Sequence, residues 1–164
     1  MKPLEFVSAL GGGIWHTTSS ARYQDILKTN SILPEPDIPD SERWSTKAGA
    51  EYYPYVRSLG GVSLFDFQGF DPKSYDAKYP GWNWCEFVPF RRQWGSAIWL
   101  EIDRNKIIDS FISAEDLLNR WRKESSVRRI LPLLEAAHIG PIPIASVSRV
   151  LAVNKDGYEE IATA

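Results

Sequence analysis

With 164 residues, 43% of them hydrophobic and 24% charged, the chain has the composition of a globular domain. That length buries about 70% of the extended chain's surface without a disulfide or metal staple. Its 19 basic and 21 acidic residues leave a net charge of −2, which excludes a protein coating duplex DNA but leaves room for a local basic groove. The single Cys85 excludes an intramolecular disulfide and a thiolate-rich zinc site.

The N-terminal stretch MKPLEFVSALGGGIWH lacks the basic lead, apolar run and small-residue cleavage site of a signal peptide. No segment approaches the ~18–20 apolar residues that cross a bilayer. A cytoplasmic protein without a membrane partner is expected, a non-standard secretion route aside. Gly11-Gly12-Gly13 reads as a flexible lead-in to a strand at Ile14-Trp15-His16, since no Lys-Ser/Thr follows to make it a phosphate loop. Ser19 and Ser20 then offer N-caps for a helix over Ala21–Lys28, with Tyr23, Ile26 and Leu27 on its buried face. Asn30 stops that helix before an extended Ser31–Pro34 segment, and the proline-rich stretch to Asp40 reads as a surface loop. Residues 41–58 admit either a helix around Thr46–Tyr53 or a mobile loop, ended by Pro54 in both cases.

Gly60-Gly61 leads into a predicted strand, Val62–Phe67. Gln68–Pro89 is rich in Gly, Pro, Asp and Tyr and is predicted to be a long functional loop. Together with the residues up to Trp94 it should flank a pocket and offer rings such as Trp82 and Trp84 for stacking. Ser96–Asp103 is a central strand, and Ser113-Ala114-Glu115-Asp116 opens a helix reaching about Lys123. Arg128–His138 fits a segment that starts as a helix and ends as a strand, its type open. Val147–Val153 is a strand that turns at Asp156-Gly157 into Tyr158–Ile161. Strands gathered after residue 60, with helices before and between them, predict an α+β fold in one domain over residues 1–164.

Cys85, between Trp84 and Phe87, reads as a thiol packed like a small hydrophobe rather than a nucleophile. His16 and His138 lack a ligand-spaced partner, so no metal is expected. Arg91-Arg92 and Arg57 read as solvated surface cations, although either could grip a pyrophosphate or a nucleic-acid strand.

Four segments taken together are more specific. His16-Thr17-Thr18 precedes a helix with Ile26-Leu27 and then Ile32-Leu33-Pro34. Gly61–Phe65 and Ser96–Asp103 follow, and Leu134-Glu135 leads through Ile142-Pro143 to the Val147 strand. This order, over roughly residues 13–153, resembles the ADP-ribosyltransferase superfamily, especially small stand-alone members such as the DNA-modifying toxins of toxin–antitoxin pairs. The resemblance implies a split antiparallel sheet with flanking helices and NAD, as substrate, in the crevice between its halves. It implies that His16 contacts the adenosine ribose and that the Thr17 backbone holds the nicotinamide amide, with Thr18 beside it. It places Ser63 at the second-motif position, makes Glu135 the catalytic glutamate and counts His16 with it among the catalytic residues. Asn30 stands where the family helix usually ends in Gly. No Tyr occupies the second motif, so another ring must stack on nicotinamide, and the family's substrate-recognition loop before Glu135 is not identifiable.

The implied activity is a glycosyltransferase reaction moving ADP-ribose from NAD to a macromolecular acceptor, protein or nucleic acid, with a cognate antitoxin as a further partner. Alternatives sharing the fold are an RNA 2′-phosphotransferase-like enzyme and a non-catalytic binding or immunity protein. Read without the resemblance, Glu135 among Leu133, Leu134, Ala136 and Ala137 is either a desolvated acid at a cleft or a helix-surface residue facing water. His16 is a ligand contact or a satisfied strand-end histidine, and Ser63 a ligand contact or a strand-face hydroxyl.

Overall fold

The computed structural model describes residues 1–163; Ala164, the last position of the predicted 1–164 domain, lies outside the described residues. In chain order the helices are α1 (Pro3–Leu10), α2 (Ser20–Thr29), α3 (Tyr55–Ser58), α4 (Pro72–Lys78) and α5 (Ala114–Lys123). The strands are β1 (Ile14–Thr18), β2 (Ser31–Ile32), β3 (Gly61–Asp66), β4 (Ser96–Ile102) and β5 (Phe111–Ile112). They continue with β6 (Glu135–Ile139), β7 (Ile142–Pro143), β8 (Val147–Asn154) and β9 (Tyr158–Ile161). Seven strands form one sheet in the order β5-β6-β3-β1-β4-β8-β9, every pairing antiparallel, and β2 with β7 makes a second small ladder. The fold is a mixed α and β structure built on a mostly antiparallel sheet.

Local chemistry accounts for the elements that carry the site. Ser19 accepts from the Arg22 N–H at the start of α2, and Asn30 ends the helix in the left-handed region with φ 54°. Ser113 does the same for α5 by accepting from the Asp116 N–H. The β4 run Ala97–Leu100 is buried throughout because strands lie on both its edges and apolar layers on both its faces.

One face of the sheet holds Ile14, Val62, Leu64, Ile98, Leu100 and Val150 against α2. The opposite face holds an aromatic layer of Trp15, Phe65, Phe67, Trp99, Trp84 and Phe87 beneath α1. Phe65 and Trp99 meet at 5.5 Å and Phe65 and Phe87 at 5.3 Å between ring centroids.

The central ladder opens partway along. β1 pairs with β3 only through Ile14↔Asp66 and Trp15↔Phe65, whereas Trp15–Thr18 continues against β4 and Gly61–Phe65 against β6. Beyond Trp15 the two middle strands separate, and a cleft enters the sheet between them. Gly61 sits at its edge, where a Cβ would stand 3.0 Å from Val56 Cγ1 and 3.2 Å from the Val56 carbonyl oxygen. Glycine suits that close approach of α3 to the strand entry, since a Cβ would require Val56 to give way.

Several expectations are corrected. Gly11 is the left-handed C-cap of α1, with φ 61°, so the glycine run ends a helix rather than forming a flexible lead-in. No helix covers Thr46–Tyr53; short 3₁₀ turns at Asp40–Glu42 and Ala50–Tyr52 precede α3, which Pro54 caps instead of ending. The 68–89 segment carries α4, capped by Asp71 through the Ser74 N–H, and a turn at Trp84–Glu86. Arg128–His138 contains no helix: a turn at Leu131–Leu134 leads directly into β6.

Candidate active site

The cleft between β1 and β3 opens into a cavity of about 1260 Å³. His16, Thr17, Thr18, Ser63 and Glu135 all lie on its wall, although they come from three strands. Sheet alternation explains the convergence of three of them. Thr17 shares a face with Trp15, Ser63 with Phe65, and Glu135 is the ladder partner of Phe65.

Glu135 is 2% exposed and opens β6, not the surface of a helix. Its Oε1 accepts from Ser63 Oγ at 2.5 Å and its Oε2 accepts from the Leu131 N–H at 3.0 Å. The turn behind it is reciprocal, since the Glu135 N–H donates to the Leu131 carbonyl at 2.9 Å. Leu133 within that turn has φ 56°, a left-handed conformation that costs a leucine of order 1 kcal/mol. Burial pushes the Glu135 carboxyl up to about 7, against the opposing pull of the Ser63 and Leu131 donors. Near neutral pH this acid is therefore poised between its two forms.

His16 is half-buried at the point where β1 leaves β3. Its Nδ1 lies 3.0 Å from the Ser63 carbonyl oxygen. Burial lowers its pKa below the ordinary histidine value, with the Ser63 bond opposing, which favours the neutral ring. A carbonyl only accepts, so Nδ1 carries the proton and Nε2 is left as an acceptor for a ligand hydroxyl. Thr17 is 9% exposed, and its Oγ1 has no partner among the described residues.

The segment Leu33–Tyr53 forms the outer wall. Arg57 holds it by donating to Glu35 Oε1 and Asp40 Oδ1, both at 2.8 Å, and Arg43 pairs with the same Glu35. Tyr53 Oη donates to Asp40 Oδ2 at 2.7 Å. Arg57 is thus an ion-paired clasp on the cleft rather than a free surface cation.

The aromatic segment divides against expectation. Trp84 is buried in the core with Nε1 donating to Asp76 at 2.9 Å, and Trp82 packs against Trp121; neither reaches the cleft. Phe87, Arg91 and Trp94 do line it, as does Trp44. Arg91 is 7% exposed while Arg92 is exposed, so the two arginines are not a solvated pair. Cys85 is exposed instead of packed, and its thiol is pushed up by partial burial. His138 lies buried on β6 with Nδ1 3.1 Å from the Gly140 carbonyl, away from the cleft wall.

No family model, curated protein or solved structure matches the chain. No helix among the described residues is long and apolar enough to cross a membrane.

Proposed function

We propose that the protein is an NAD-dependent ADP-ribosyltransferase that moves ADP-ribose to a macromolecular acceptor, with the cleft between β1 and β3 as the split of an ADP-ribosyltransferase-like sheet. The observation that carries the reading is the buried Glu135 carboxyl, held by Ser63 and a backbone N–H in a cleft it shares with His16. The cavity exceeds the roughly 300–1,000 Å³ of a drug-sized pocket, which suits an extended dinucleotide. Trp44, Phe87 and Trp94 supply rings for stacking where the second motif lacks a tyrosine.

The chemistry follows from the charges. When the bond between ribose C1′ and the nicotinamide nitrogen breaks, its electron pair leaves with neutral nicotinamide and the ribose becomes oxocarbenium-like. Ionised Glu135, withdrawn from water, opposes that positive charge more strongly than a solvated carboxylate would. An acceptor oxygen or nitrogen then donates its lone pair to C1′ and releases its proton to Glu135 or to solvent. Nε2 of His16 accepts from a hydroxyl of the adenosine ribose and fixes the dinucleotide before bond breaking. A small toxin with a cognate antitoxin is the biological form we assign to this chemistry.

Incubation with NAD labelled in the adenylate half, in a cell lysate, tests the proposal. Label carried into macromolecules by wild-type protein and not by Glu135→Gln supports it, and nuclease or protease digestion then identifies the acceptor. Absence of label transfer with both proteins would contradict it.

A further inference from the structure

A buried arginine ordinarily meets a carboxylate with both arms of its fork or satisfies its donors on carbonyl oxygens. Arg91 does neither. It is 7% exposed, yet its nearest acid, Glu86, stands 3.6 Å from Nη2, beyond hydrogen-bond length. Its Nε has no acceptor among the described residues. Rings hold it in place, with the guanidinium carbon 5.6 Å from the Phe87 centroid and 5.4 Å from that of Trp94. Burial draws its pKa below the ordinary arginine value despite Glu86, so the placement is costly.

The position of this group matters as much as its poverty of partners. Arg91, Phe87 and Trp94 line the same cleft as Glu135. Phe87 packs on Phe65, the ladder partner of Glu135, which puts Arg91 over the Glu135 face of the sheet. On that face, and on the cleft wall, the Thr17 hydroxyl is another buried polar group without a partner among the described residues.

We infer that Arg91, caged by Phe87 and Trp94, is the anion subsite of the cleft and receives the diphosphate of a nucleotide, with the Thr17 hydroxyl as a second contact. A phosphate oxygen edge matches the guanidinium fork. The nucleotide identity of the ligand rests on the proposed function; the anion chemistry does not.

Calorimetry with inorganic pyrophosphate, ADP and adenosine at fixed salt tests the assignment on wild-type protein, Arg91→Met and Arg91→Lys. Wild-type protein should bind ADP at least tenfold more tightly than adenosine. Arg91→Met should lose tenfold or more of the ADP and pyrophosphate affinity and leave adenosine binding unchanged. Arg91→Lys, which keeps the charge and loses the fork, should lose at least threefold, and it carries the test if the methionine variant does not fold. Equal ADP affinity in wild-type and variant proteins overturns the subsite, as does failure of both ADP and pyrophosphate to bind wild-type protein. Arg91-dependent ADP binding without nicotinamide release from NAD would sink the proposed reaction while leaving the subsite standing. Nicotinamide release with Arg91-independent ADP binding does the reverse.

Discussion

Under the proposed function, removing one hydroxyl should move the pH profile of nicotinamide release. Ser63 Oγ donates to Glu135 Oε1 at 2.5 Å and opposes the burial that raises this carboxyl to about 7. A hydrogen bond to a charged group is worth about 1.5–3 kcal/mol, and one pKa unit corresponds to about 1.4 kcal/mol. In Ser63→Ala the carboxyl should therefore rise by about one to two units, to roughly 8–9. At pH 7 its ionised fraction falls from about one half to roughly 1–10%, and kcat/KM should drop about 5- to 50-fold. By pH 10 the two proteins should converge, because the base is ionised in both. Nicotinamide release followed from pH 5 to 10 reads the inflection, and Ser63→Thr, which keeps the hydroxyl, should restore it near 7. An inflection that stays put in Ser63→Ala would refute the idea that ionised Glu135 drives the reaction.

Four further outcomes follow from the same geometry. Glu135 has a higher pKa folded than unfolded, so the unfolded chain binds fewer protons between about pH 4.5 and 7 and stability falls across that window. Glu135→Gln should then be more stable than wild type at pH 8, by up to about 3 kcal/mol in a thermal or urea melt, and equal to it near pH 4. Trp84→Ala should cost about 3–5 kcal/mol of stability as a core truncation, and Trp84→Phe should leave the KM for NAD unchanged. Trp94→Ala should raise that KM with little effect on the melt, read by steady-state kinetics and calorimetry. Arg57→Ala should speed hydrogen exchange at the amides of Asp40–Tyr53, because the contacts to Glu35 and Asp40 clasp that segment, and unchanged exchange would show that the clasp does not hold it.

The strands and helices that depend on neighbours in sequence were legible. β4 and β8 read as apolar runs, α2 and α5 as capped amphipathic segments, and the turn at Asp156-Gly157 as a hairpin closed by the Asn154 N–H on the Gly157 carbonyl at 2.9 Å. Signals for α1 and α4 were present but diluted. Pro3 stands at a first-turn position with Phe6 and Leu10 one helical turn apart, and Asp71-Pro72 is a cap followed by a helix-starting proline. Around α4 nearby glycine and proline suggest a loop, and beside α1 only the following glycine run is read, as a flexible lead-in.

Glu135 shows the opposite case, in which its chemistry was visible and its element was not. An apolar stretch with one acid fits a helix or a strand equally well, and only pairing with Gly61–Phe65, 72 positions away from Glu135 in the Ser63 contact, decides for the strand. The histidine, the two threonines and the serine were picked out by their order along the chain, and the ladder geometry brings them to one cleft. Arg91 could not be distinguished from Arg92 by composition. What separates them is that Phe87 folds over Phe65 and carries the guanidinium of one arginine into the sheet's aromatic layer. That contact is tertiary and leaves no local mark.

The central claim is that Glu135 acts on a charge that exists only as the nicotinamide bond breaks. Nicotinamide release and NAD affinity, measured side by side on wild-type protein and Glu135→Gln, test it most directly. The account predicts turnover lowered about 100-fold or more with NAD affinity held within about threefold, because ground-state ribose offers no full positive charge to the acid. Wild-type turnover in a folded Glu135→Gln protein, or a loss confined to NAD affinity, would contradict it.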